Sequence, residues 1–408
     1  MKLTRFISTT IAIIALCTAT AVAQQTEAQS TTEASTSTST PVIQKSAKQI
    51  KRDSIRAHKK VWTSVLGGPS YTPDASLGIG GAVLLSFKMN QEDSVSYRSF
   101  LPMGAAITIN GTFVLAGSGT FFFNENKFRI YSKYAFRMEP AHFYGVGIEA
   151  GETTPRGDNT TAYDNRSFDL YNRFVWEVKP FFFLGPLLDI VYTNSINLSE
   201  GVATNEYIVE NNPYLKSTNI GLGGVIQYDT RDDIATPYRG VLLSATAKIY
   251  DRYFGSTYNY QLLDLEYRQY KQLFHRRSVL AWTTRAQIGF GDIPFTELPY
   301  FGSAFDLRGF YSNQYSDKSA GYGIVEYRHS FGSVQAHDAG KFLARFGAVA
   351  WVGAGSVGNT PADWTRWKYN YGVGLRYEIQ PRKNIRLDIG KAQGIEGVGY
   401  YLNMTEAF

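Results

Sequence analysis

Cysteine is nearly absent. The one cysteine in 408 residues is Cys17, inside the first hydrophobic run, so the rest of the chain has no disulfide, no thiolate chemistry and no cysteine-based metal site. Long apolar runs are also missing. Beyond the N-terminus no window offers about twenty uninterrupted apolar residues, which leaves no second candidate for a spanning helix. Charge is sparse, at 19% Asp, Glu, Lys and Arg with a net charge of +6. Much of the basic excess sits in one short segment rather than over a groove-sized face, and nucleic acid is not expected as a partner.

The N-terminus has the layout of an export signal. Lys2 and Arg5 form the basic part, residues 11–17 the apolar core, and Ala21-Val22-Ala23 a small-residue cleavage site before Gln24. Leu16 disfavours lipid attachment at Cys17, because a small residue normally precedes a lipidated cysteine. Residues 1–23 therefore read as a signal peptide, and 24–61 as a periplasmic linker that is Ser/Thr-rich and then basic. Within it, Lys45, Lys48, Lys51, Arg52, Arg56, Lys59 and Lys60 surround Ile43, Ala47, Ile50 and Ala57 at helical spacing. Two readings stay open here: an amphipathic helix touching anionic head groups or the barrel mouth, and a solvated basic linker.

What the chain has in quantity is Tyr (28), Phe (26) and Gly (38), a composition that favours an all-β fold. Period-two runs bounded by turn residues fall at 78–88, 100–110, 112–123, 128–138, 143–149, 167–179, 181–194, 219–229, 241–251, 258–272 and 278–291. After an aromatic loop they resume at 321–331, 343–354, 368–379, 385–390 and 399–405. Sixteen such strands suit a transmembrane barrel, expected over residues 62–408. Val325, Tyr327, His329 and Phe331 alternate with Glu326 and Arg328, and Ile385, Leu387 and Ile389 alternate with Arg386 and Asp388. Alternation alone fits a soluble sandwich equally well. Connection lengths separate the two: short turns follow even strands in this numbering, and long ones follow odd strands, as in a barrel with long extracellular loops. The connections at 124–127 and 230–240 break that pattern.

No catalytic, metal or cofactor constellation emerges. The five His residues lack an evident Ser or Asp partner on the lumen side or near the extracellular rim. Gly78 to Gly81 and Gly221 to Gly224 lie within strands and open no helix, so they do not read as phosphate loops. The expected lumen charges, among them Arg285, Glu326, Arg328, Arg376, Arg386 and Asp388, mix both signs and do not form a single-sign ion filter.

The organising stretch is the loop at 292–320. It carries Phe295, Tyr300, Phe301, Phe305, Phe310, Tyr311 and Tyr315, too aromatic for free solvation, and a loop this long normally folds back on its own protein. Its run from Ile293-Pro294-Phe295 through Pro299-Tyr300-Phe301-Gly302 to Arg308-Gly309-Phe310 resembles the signature loop of the BamA/TamA-type outer-membrane assembly and translocation barrels (the bacterial surface antigen family). Tyr228 to Asp232, Gly323 to Arg328, Gly372 to Tyr377 and the last strand extend the resemblance over the whole barrel. It implies an all-β, 16-stranded antiparallel barrel in the bacterial outer membrane. The extracellular loop would tuck into the lumen, with Arg308, Gly309 and Phe310 as the signature and Glu326 or Asp388 anchoring Arg308. Phe408 would be the signal read by the insertion machinery. Gly353 stands where the family motif on that strand has Asp, and no room is expected for polypeptide-transport-associated domains between Gln24 and the barrel. The implied function is insertion or translocation of protein or lipid, aided by an unstable contact between the first and last strands. The expected partners are outer-membrane lipids and a separate periplasmic or outer-membrane protein. The other reading is a passive structural barrel or narrow pore plugged by its loop.

Overall fold

A computed structural model describes residues 61–72, 76–93, 96, 99–109, 111–232, 236–273, 277–303, 305–331, 345–380, 383–404 and 406–408. The expected signal peptide, the linker through residue 60, and His58, His275 and His337 lie outside the described residues. The wall begins with β1 (Val61–Thr72), β2 (Ser76–Phe87), β3 (Ser99–Thr108), β4 (Phe113–Phe123), β5 (Phe128–His142) and β6 (Ala162–Lys179). It continues through β7 (Phe182–Ile196), β8 (Lys216–Asp229), β9 (Gly240–Tyr250), β10 (Tyr260–Gln272) and β11 (Ser278–Gly291). The strands β12 (Tyr300–Phe301) and β13 (Tyr315–Ser316) belong to the aromatic loop. The wall resumes with β14 (Ser319–Ser330), β15 (Phe346–Gly358), β16 (Lys368–Gln380), β17 (Lys383–Ala392) and β18 (Gly399–Met404).

Sixteen strands form one antiparallel sheet in sequence order, while β12 and β13 pair only with each other. Among the described residues no ladder joins β18 to β1. The sheet curls on itself: Glu152, which follows β5, bonds to Lys368 at the start of β16. Its two faces differ as the alternation requires. Tyr327, Val352, Val373, Leu375 and Leu387 are exposed on the outside, with Leu375 at 59%. Glu326, Arg328, Arg376, Arg386 and Asp388 are buried on the inside. An apolar outer face and a charged, buried inner face define a membrane barrel, since lipid replaces water outside.

The expected sixteen strands include two compensating errors. The run at 143–149 is not a strand: Gly145 and Gly147 take φ of +100° and +93°, breaking the extended chain before the short helix Gly147–Thr153. In its place β1 precedes the expected first strand. Its Gly67-Gly68-Pro69 stretch reads as a turn, yet Pro is tolerated because, among the described residues, β1 pairs with β2 alone and is an edge strand. Removing one strand and adding another leaves the aromatic loop after the eleventh but exchanges the sides of the earliest connections. The β2–β3 connection now lies with the short turns and the β3–β4 connection with the long loops, while 124–127 joins the short side. His142 ends β5 on the long-loop side and is hydrogen-bonded to Thr161 at 2.8 Å.

Register sets the inner surface. Glu326, Trp351, Gly372 and Gly390 are consecutive cross-strand partners on β14 to β17. The neighbouring inward row is Arg328, Val349, Gly374 and Asp388. Two carboxylates thus sit at opposite ends of a trench floored by glycine. The Trp351 ring occupies the space a side chain at 372 would need, and at 374 a Cβ would lie 2.9 Å from Arg376 Nη1.

Candidate functional site

The connection from β11 to β14 enters this trench. Gly291, at φ +88°, turns the chain off the wall. The first part of the loop is tied to the neighbouring extracellular segments: Tyr207 donates to the Ile293 carbonyl (2.7 Å) and Asn212 accepts from the Phe295 amide (2.9 Å). The Phe295 ring packs edge-on against Phe143 and Tyr163, at 5.1 and 5.3 Å. Glu297 then meets β8 and β10, where Asn219 Nδ2 (2.9 Å) and Tyr260 Oη (2.5 Å) donate to its two oxygens. Burial pushes the Glu297 carboxyl up to about 7, against the lowering effect of those two donors. Tyr260 stacks on Tyr250 at 4.1 Å, and Tyr250 donates to Asp189, which also pairs with Lys248 (2.7 Å each).

Farther on, β12 and β13 form a two-residue ladder whose intervening turn is organised by Asp306. Its Oδ1 accepts from the amides of Gly302, Ser303 and Leu307 at 3.0, 2.6 and 2.5 Å, and Ser303 Oγ donates to its Oδ2 at 2.8 Å. That turn delivers Leu307 and Arg308, both fully buried. Leu307 enters the slot left by Gly353 and Gly355, where added Cβ atoms would lie 2.8 and 2.5 Å from its methyls.

Arg308 reaches two strands at once. Its Nη2 pairs with Glu326 on β14, and its Nη1 donates to Asp388 Oδ2 on β17 at 2.6 Å. The guanidinium carbon lies 3.5 Å from the centre of the Trp351 ring, and Asn370 donates to the Arg308 carbonyl at 2.8 Å. Gly309 has φ +114°, and a Cβ there would stand 2.9 Å from Ala392 N, so both conformation and space require glycine. Phe310 closes an aromatic trio with Phe301 and Tyr315 at 5.6 and 5.5 Å. Each member of the tripeptide therefore has a separate physical task.

Arg328 donates to Glu326 (2.8 Å) and Arg376 to Asp388 (2.6 Å), so each carboxylate serves two guanidiniums. Arg386 Nη1 stands 3.4 Å from Asp388. This sharing suits charges removed from water, where an isolated ion would be costly. Glu406 adds a third carboxylate beside Arg376 at 2.9 Å. Phe408 leaves the wall after β18 and is buried against Arg328 and Tyr270.

Sequence reasoning singled out Arg308, Gly309, Phe310, Glu326 and Asp388, and the fold brings them together. It missed Glu297, Asp306 and Glu406. A signal for the first was present: a carboxylate in an aromatic loop bound for a lumen must find donors. Among the described residues no group of His, Cys, Asp or Glu is arranged to hold a metal. The geometry pairs guanidiniums with carboxylates, and its chemistry is fastening.

The fold and site define a class: outer-face-apolar β-barrels whose lumen is filled by one of their own loops. The family model described as the Omp85 superfamily domain matches residues 94–406, and the chain belongs to that superfamily. Among solved structures it is similar to BamA from Haemophilus ducreyi lacking POTRA domains 1-3. The TM-score is 0.56 at 12% identity, over 85% of this chain and 70% of that one. It is also similar to CdiB from Acinetobacter baumannii, at TM-score 0.51 and 12% identity, over 85% of this chain and 60% of that one. At such identities these likenesses describe the fold. No curated protein matches the chain.

Proposed function

We propose that the protein is a non-enzymatic barrel of the bacterial outer membrane that inserts or translocates protein or lipid, together with a separate periplasmic or outer-membrane partner. The observation that carries this reading is Arg308 held between β14 and β17. The loop fills that side of the lumen and braces the last strands from within, which disfavours a simple open conduit there. The less supported margin lies at the ends of the sheet, where β18 matches β17 over only six residues. Edge strands with unpaired backbone groups are the reactive part of a sheet. Work on a substrate is accordingly assigned to the β1–β18 margin and the adjoining bilayer. Delivery is assigned to a separate partner.

Reconstitution in liposomes tests this. Wild-type protein is expected to accelerate insertion of a client barrel or lipid scrambling, with small passive conductance. Folded, membrane-inserted Arg308→Ala is expected to lose that activity while conductance stays small. Wild-type protein that conducts ions steadily and does neither would favour the passive barrel with a plug.

A further inference from the structure

The segment 406–408 occupies a built site in the lumen. Glu406 is 5% exposed; its Oε2 accepts from Arg376 Nε at 2.9 Å and stands 3.7 Å from Arg328 Nε, while Asn384 donates to its Oε1 at 2.9 Å. Two residues on, the Phe408 ring lies 4.9 Å from the Arg328 guanidinium carbon and 6.3 Å from the Tyr270 ring. Arg328 Nη2 donates to the Phe408 main-chain oxygen at 3.1 Å. Four wall strands, β10, β14, β16 and β17, thus read one acidic side chain, one aromatic ring and one main-chain oxygen.

The receptor does not depend on its occupant for internal pairing. Arg328 keeps Glu326 and Arg376 keeps Asp388 when the tail is taken away, so neither guanidinium is stranded. A polar cavity of about 290 Å³, lined in part by Glu266, Arg268, Tyr300, Ala407 and Phe408, adjoins the tail and leaves room for its exchange.

We propose that this wall is a peptide site for a Glu-X-Phe segment, held in cis by residues 406–408 and open to the same segment of another chain once the tail is withdrawn. Charge-assisted bonds supply the affinity, and the ring seat with its two-residue offset from the carboxylate supplies the selectivity. A factor that reads Phe408 must do so before this site is filled. The proposal stands on the lumen geometry alone and survives failure of the insertion reading.

The test uses the chain truncated after Thr405, in nanodiscs, with a fluorescent peptide of residues 399–408. The truncated barrel is expected to bind at least about tenfold tighter than the intact one. Peptides carrying Glu406→Gln or Phe408→Ala are each expected to lose on the order of tenfold, the first through a charge-assisted hydrogen bond and the second through the buried ring. Should truncation prevent folding, full-length Glu406→Gln/Phe408→Ala supplies a released tail without shortening the chain. The proposal is overturned by a folded, heat-modifiable barrel with a removed or released tail that binds no peptide, by equal binding to intact protein, or by altered peptides that bind as well.

Discussion

The loop is held at two places by opposite chemistry. Near its middle Arg308 is tied to Glu326 and Asp388, and each of those carboxylates also has a second guanidinium. Near its start Glu297 is tied to the neutral donors Asn219 and Tyr260. The first anchor is ionic and shared among several side chains. The second is a single carboxyl in a dry setting, whose charge is only just sustained. Redundant ion pairs make a permanent fastening, while one buried acid makes a fastening that depends on pH.

The largest expected effect breaks the ionic anchor. Beyond its loss of activity, Arg308→Ala should cost about 3–5 kcal/mol of stability, the usual result of removing one partner from a buried ion pair. Glu326→Ala should also destabilise: Arg308 retains Asp388, but Arg328 loses its close carboxylate partner. Denaturant midpoints of protein refolded into detergent measure both.

The Glu297 anchor should reveal itself in a pH profile. Its carboxyl is raised from 4.5 to about 7 in the fold, so between those values the native state keeps a proton that the unfolded chain has lost. Stability should therefore fall as pH rises through that window and level off above about 7, by a total on the order of 3 kcal/mol. Glu297→Gln should flatten this slope; an unchanged slope would assign the pH dependence elsewhere.

Gly353→Asp sharpens the contrast by installing the residue that the resemblance leads one to expect. A Cβ at 353 would lie 2.5 Å from Asn370 Oδ1 and 2.8 Å from a Leu307 methyl. A new acid there should destabilise by about 1–3 kcal/mol through overpacking, although it brings a carboxylate near an arginine. Greater stability in the same denaturant series would show that Leu307 yields the slot.

These residues also show how much the sequence could reveal. The inward and outward faces were legible at β14 and β17, where Glu326 and Arg328, then Arg386 and Asp388, alternate with apolar neighbours. Arg308-Gly309-Phe310 was legible as a motif. The run at 143–149 misled because alternation is blind to left-handed glycines, and β1 escaped because a proline is admissible only once its place in the sheet is known. Glu297 and Glu406 escaped because their partners lie on strands remote in sequence. The fit of glycine at 353 needed coordinates, since Asn370 and Leu307 fill the space a side chain would take.

The most direct test of a loop held inside the lumen is amide hydrogen exchange of the inserted protein in nanodiscs. The amides of Gly302, Ser303, Leu307, Gly309 and Asp317 all donate within the protein. Peptides spanning 299–317 should therefore exchange orders of magnitude more slowly in the inserted protein than the same peptides in the denatured chain. Exchange of 299–317 at the denatured-chain rate would contradict the anchored loop outright.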